Sequence, residues 1–148
     1  MADGKWQMAD GARIEFFTQN IFFSLKNKTR IKKSILSLIK KEKKKAGNIS
    51  FTFCDDKFLL ALNKKFLKHN TLTDIITFQY PTKELSSELF ISIPRVKENA
   101  KKFNVSFENE LHRVMIHGVL HLCGYKDKSA AAKKAMRNRE DRYLKLLK

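Results

Sequence analysis

Between Ser106 and Gly124 the chain carries the run FENELHRVMIHGVLHLC, in which Leu111, Val114, Met115, Leu120 and Leu122 recur at helical spacing. A long helix this apolar has to be packed against other elements, so the rest of the chain must build a core around it. Its ends are marked. Ser106 suits the N-cap, Glu108 and Glu110 fall in the first turn where the dipole favours acids, and Gly124 can stop the last turn. The chain can supply that core: 148 residues, 43% of them apolar, include twelve Phe. A length of this order predicts a single domain, because two halves would each have a marginal core. Five Gly and two Pro exclude collagen-like and low-complexity classes. No stretch approaches the ~18 apolar residues of a membrane span. The opening MADGKWQMADG lacks the apolar segment of a secretory signal, and two Cys cannot form a disulfide framework. Together these predict a soluble cytoplasmic protein with no membrane partner.

The remaining elements follow from pattern. MADG occurs at 1–4 and again at 8–11, so residues 1–12 are set aside as a disordered N-terminus or an appended leader. Residues 13–148 are read as the single domain. Strands are predicted at 13–17, 49–54, 74–80 and 87–93. Helices are predicted at 29–45 with Thr29 as N-cap, and at 55–66 behind Asp55 or Asp56, with Phe58, Leu59, Leu62 and Phe66 inward. Gly47 is read as the C-terminal cap of the first helix. Pro94 opens a further helix, Asn104 breaks it, and Ser129 starts the last one. The order βαβαββααα predicts an α+β domain: a small four-stranded mixed sheet packed with about five helices, the long apolar helix among them.

Charge is concentrated. Of a formal net +16, residues 26–45 carry +9 and residues 126–148 carry +6. An excess of this size points to a polyanionic partner, nucleic acid above all. Both segments read as helices with a narrow apolar stripe: Ile31, Ile35, Leu38 and Ile39 in the first, Met136, Tyr143, Leu144 and Leu147 in the second. A basic amphipathic helix can also lie on a membrane, but a narrow stripe without Trp fits core packing better.

Within the apolar helix His117 and His121 are four residues apart, so their rings leave the same face. Gly124 then lets the chain reverse, and Asp127 follows six residues after His121. This H-x-x-x-H-x-x-G-x-x-D spacing is that of the extended zinc motif of metzincin proteases, with Asp as third ligand. Two neutral imidazoles and one carboxylate suit one transition-metal ion, zinc first, and leave a position open for water. The competing reading is two ordinary partly buried histidines, with Asp127 as a helix-start residue. In zinc proteases a Glu follows the first His as general base; here that position is Gly118, which removes the base from a protease route. Arg113, four residues before His117, could reach a phosphate or equally form a surface salt bridge. His112 lies off the shared face and reads as structural. Cys123, two residues after His121, points away and reads as a small packing residue, as does Cys54 at the end of its strand.

At these residues the chain resembles the YbeY-type rRNA maturation factors. His117 to Tyr125, then Met136, Glu140 and Leu144, look like that family's signature. Leu62-Asn63 with Phe66, the segment Thr73 to Phe78, and Phe90 to Glu98 extend the resemblance across about residues 50–147. It implies a metal-dependent, single-strand-specific endoribonuclease acting in small-subunit rRNA maturation and ribosome quality control. Two positions depart from the pattern. The family's usual third ligand is His where this chain has Asp127, which implies a His₂Asp site. The Arg that many relatives carry after the aromatic is Leu67 here, so Lys68 or His69 would have to contact phosphate in its place. His69 otherwise reads as a solvated loop residue.

The leading reading is therefore a metal-dependent endoribonuclease. His117, His121 and Asp127 would hold a metal whose bound water is the nucleophile, and Lys and Arg of the two basic segments would hold single-stranded RNA of the ribosome. The second is a ribosome-associated RNA-binding factor with a structural metal. The third is a zinc protease, disfavoured by Gly118 and the basic surface.

Overall fold

A computed structural model describes residues 11–147. The reading of residues 1–10 lies outside the described residues. Ala12 is fully buried, so the packed chain starts one residue before the first strand. In chain order the elements are β1 (Arg13–Gln19), α1 (Lys28–Lys41), β2 (Ala46–Cys54), α2 (Asp56–Leu62), a π-helical turn (Asn63–Leu67), β3 (Ile75–Gln79), β4 (Leu85–Ser92), α3 (Ile93–Lys102), α4 (Phe107–Leu122) and α5 (Ala130–Leu146). This is an α+β domain with the element order expected from the sequence.

The sheet runs β1-β2-β4-β3, with β1, β2 and β4 parallel and β3 antiparallel at one edge. Strand alternation gives it two unlike faces. Ile14, Ile49, Phe51, Phe53, Leu89 and Ile91 lie on one face, in the main core with the buried stripes of α1, α3, α4 and α5. Cys54, Ile76, Phe78 and Phe90 lie on the other and are covered by Phe58, Leu59 and Leu62 of α2. The Asp55 carboxylate accepts from the Phe58 amide at 2.8 Å, and Ser92, Ser106 and Ser129 cap their helices through side-chain oxygens.

The structure corrects several local expectations. Asn27, not Thr29, is the N-cap of α1; it adopts a left-handed conformation that Asn tolerates, and its side chain makes no cap bond. The helix ends at Lys41, and Lys43 (φ 62°) reverses the chain, with the Lys44 amide bonded to the Ile39 carbonyl at 3.0 Å. Gly47 is therefore not a helix cap. It lies in β2, where a Cβ would stand 2.4 Å from Ser86 Oγ and 3.0 Å from Glu84 Cβ, so it serves the close approach of two strands. Phe66 is exposed, not inward; the π-helical turn swings it out, with its ring edge-on to Phe78. The helix expected to be long and apolar is a 16-residue helix of mixed character, with Glu108, His112, Arg113, His117 and His121 among its apolar residues.

α4 lies directly on the sheet at Gly118. A Cβ there would meet Leu89 Cδ2 at 2.5 Å and Ile75 Cδ1 at 2.8 Å, and Leu89 is fully buried. A glutamate at this position would have to displace the side-chain ends of Leu89 and Ile75, a packing cost that goes with the missing protease base. A second tie holds the far side. Glu42, just past α1, accepts hydrogen bonds from the Tyr125 hydroxyl (2.7 Å), the Tyr143 hydroxyl and Arg139. Burial opposes the Glu42 charge, but the two hydroxyls with Arg139 and Arg142 outweigh it and hold its pKa below the ordinary value.

Two outcomes follow. Gly118→Ala gains up to ~1 kcal/mol of helix propensity but overpacks the sheet contact by about 1–3 kcal/mol, so the unfolding midpoint should drop by a few degrees in a thermal melt. An unchanged midpoint would mean that Leu89 and Ile75 move aside freely. For Glu42, a lowered folded pKa means stabilisation that is present above 4.5 and lost as pH falls through the folded value. Glu42→Gln should cost about 1–3 kcal/mol at neutral pH, and urea unfolding should show that gap closing in acid.

Candidate metal centre

His117 and His121 leave one face of α4 at its C-terminal end, and the turn after α4 brings Asp127 to them. That turn is tightly specified. Gly124 has φ 108°, its amide bonds to the His121 carbonyl at 3.0 Å, and the Tyr125 amide reaches back to the Leu120 carbonyl at 3.1 Å. This is the paired bonding of a Schellman motif, which only a residue at ease with positive φ completes cheaply. Tyr125 is then anchored on Glu42, with Arg139 5.2 Å above its ring. The loop is held on both sides before it reaches Asp127.

The result is a compact triangle. His117 Nε2 and His121 Nε2 are 3.0 Å apart, and Asp127 Oδ2 lies 3.4 Å from the first and 3.5 Å from the second. Ligand atoms of a tetrahedral site with bonds of 2.0–2.2 Å stand about 3.3–3.6 Å apart, so these three atoms are close to the spacing a single ion requires. The three residues could hold a metal ion. Their side chains are 25%, 33% and 39% exposed, which leaves the group open to solvent and substrate.

A buried carboxylate sets the His117 ring. Glu140 of α5 takes Nδ1 at 2.7 Å, and a carboxylate can only accept, so Nδ1 carries the proton and Nε2 turns its lone pair to the triangle. Burial disfavours the His117 cation, but the Glu140 hydrogen bond and charge, with Asp127 and Asp74, outweigh it and raise the pKa above the ordinary 6.5. Glu140 also accepts from Arg113 Nη1 at 2.9 Å, and Arg113 Nη2 donates to Asp141 at 2.8 Å. Arg113 is thus engaged by two carboxylates beside the site.

The triangle lies between two cavities. One, of about 310 Å³, is lined by Asp74, Glu110, Arg113 and Glu140 among others. The second, of about 510 Å³, runs past His121 along Thr73, Thr77 and Gln79 of the β3 edge. Both include Asp74, His117 and Asp127. Burial raises the pKa of the Asp74 and Glu110 carboxyls. Lys68 and His69 lie exposed in the loop before β3, Lys68 with φ 56°, and line neither cavity. Cys123 is outside the group; burial pushes its thiol up to about 11. His112 borders a separate cavity with Phe23 and Phe107, and burial lowers its pKa.

Reading the sequence alone gave no site role to Asp74 or Glu140, and read Glu110 only as a first-turn acid of α4. For Glu140 a signal was present: it falls on the buried stripe of Met136, Tyr143 and Leu144, where a carboxylate needs a partner.

Comparison with known proteins bears on this geometry. The profile described as endoribonuclease YbeY matches residues 13–148. A Flavobacterium psychrophilum protein named endoribonuclease YbeY is 50% identical over 131 residues, covering 88% of this chain and 94% of its own. One of the same name from Flavobacterium johnsoniae is 48% identical, covering 84% and 91%. A solution structure of a Thermotoga maritima protein superposes with a TM-score of 0.63 at 26% identity, covering 90% of this chain and 88% of that one. With the profile matched from the first strand to the last helix and relatives near half identical over most of the chain, the chain belongs to the endoribonuclease YbeY family.

Proposed function

We propose that this protein is a metal-dependent endoribonuclease that cuts single-stranded RNA, acting in the cytoplasm in rRNA maturation and ribosome quality control. The observation that carries the reading is the convergence of His117, His121 and Asp127 within 3.0–3.5 Å in a chain of this family. Zinc is the metal that the donor set suits first. A metal bound there would supply Lewis-acid polarisation of a phosphoryl oxygen and acidify a water. The chain's own residues do the rest. Glu140 keeps the His117 proton on Nδ1 and so keeps Nε2 available. The Schellman turn and the Tyr125 anchor hold Asp127 in register with α4. His117 and Asp127 line both cavities, which would give an RNA strand a route to the triangle. Among the described residues no helix is long and apolar enough to cross a membrane. The absence of a side chain at Gly118 weighs against a peptidase.

Cleavage of a defined single-stranded RNA tests the reading directly. Wild-type protein should cut it and stop on chelation; His121→Ala should lose bound metal, by elemental analysis, and lose cleavage while still binding RNA. Equal cleavage by both proteins would assign the activity to a contaminant. RNA binding with metal present but no cleavage would favour a ribosome-associated binding factor.

The raised His117 pKa gives a second expectation. Protons compete with the metal for Nε2, so metal affinity should begin to fall as pH is lowered from above 6.5. Glu140→Gln should weaken metal binding by about 10–100-fold at neutral pH, read by calorimetric titration with zinc. Unchanged affinity would limit Glu140 to holding Arg113.

A further inference from the structure

An RNA phosphate approaching the triangle from the α5 side meets Asp74, Glu110 and Glu140, and needs cations that are not already engaged. Arg113 is engaged through both terminal nitrogens. Lys133 and Arg137 line the same cavity, are exposed, and form no ion pair among the described residues. Their position follows from the register of α5. Lys133, Met136, Arg137 and Glu140 share one helix face, Met136 is buried, and Glu140 holds His117. The rotation of α5 that brings Glu140 to His117 therefore turns Arg137 and Lys133 to the cavity mouth. Four residues of helix rise about 6 Å, comparable to the separation of successive phosphates on an extended strand. Across the triangle, beyond Asp74, the uncharged side chains of Thr77 and Gln79 line the second cavity along β3, whose outer edge pairs with no strand among the described residues.

We propose that Lys133 and Arg137 bind the backbone phosphates of a single-stranded RNA laid across His117, His121 and Asp127, with its sugars and bases toward Thr77 and Gln79 of β3. The inference rests on the endoribonuclease reading and deepens it by giving the groove two unengaged cations on the α5 side and uncharged polar side chains along β3. The rival role for the two cations is to balance the charge of Glu110, to which Arg137 is an electrostatic neighbour.

Fluorescence anisotropy with a labelled single-stranded RNA over a salt series separates these. Each Lys or Arg contact to a single strand adds about −0.7 to the slope of log affinity against log salt. The double variant Lys133→Gln/Arg137→Gln should therefore show a slope shallower by about 1.4 and a KM roughly tenfold higher, with metal content and unfolding temperature unchanged. Lys133→Arg/Arg137→Lys, which keeps both charges, should restore the slope. Lys97→Gln/Lys101→Gln on α3 removes the same charge away from both cavities and serves as reference. A glutamine double variant whose slope and KM match that reference overturns the proposal; a shift in metal content or melting alone assigns the pair to charge balance and overturns it too. If wild-type protein neither binds nor cuts the RNA, the endoribonuclease reading fails first and takes this inference with it.

Discussion

The contact of α4 with the sheet at Gly118 sets the position of everything that matters for the site. With no side chain there, the helix backbone settles against Leu89 of β4 and Ile75 of the edge strand β3. A helix held at that distance presents the residues flanking the contact at the sheet's margin. His117 comes out beside the start of β3, where Asp74 is, and His121 one turn further along the same wall. A larger residue at 118 would have to push aside the ends of Leu89 and Ile75 or lift the helix that carries both imidazoles. The open wall of the site is a consequence of close packing behind it.

Acidic residues do unusual work in a chain of net charge +16. Glu42 and Glu140 are each drawn inside and given several donors. Glu42 joins the end of α1 to Tyr125 and to α5; Glu140 joins α5 to Arg113 and His117 of α4. Breaking such a pair by removing one partner strands a desolvated charge, so these carboxylates act as connectors whose cost is met only in the assembled fold. Among the described residues the positive excess, by contrast, is mostly exposed and outside ion pairs, which is the arrangement a polyanion needs.

Much of this was legible in the sequence, and the limits have physical causes. Strand and helix order followed from periodicity and from capping residues such as Asp55, Ser106 and Ser129, all of which act within a few positions of themselves. His117, His121 and Asp127 were legible because one helix and one turn bring them together. The end of α1 was missed because Lys43 rather than a glycine takes the left-handed turn. Gly47 was misread because the strand that crowds it, near Ser86, is distant in sequence. Arg113 could be read either as a phosphate contact or as a salt bridge; its partners Glu140 and Asp141 are 27 and 28 residues away, and no local spacing announces them.

Those long separations bear on the order in which the molecule assembles. The Glu42–Tyr143 hydrogen bond spans 101 residues and the Glu140–His117 bond spans 23, so both form only when α5 docks. Closing the 101-residue span is slow relative to forming α4 or the β3–β4 pairing, whose partners are close along the chain. With α5 undocked, the His117 ring would lack the Glu140 carboxylate that fixes its proton, and Tyr125 would keep Glu42 but lose Arg139 over its ring. Competence at the site is thereby tied to completion of the fold: the last helix to dock is the one whose Glu140 sets the His117 ring.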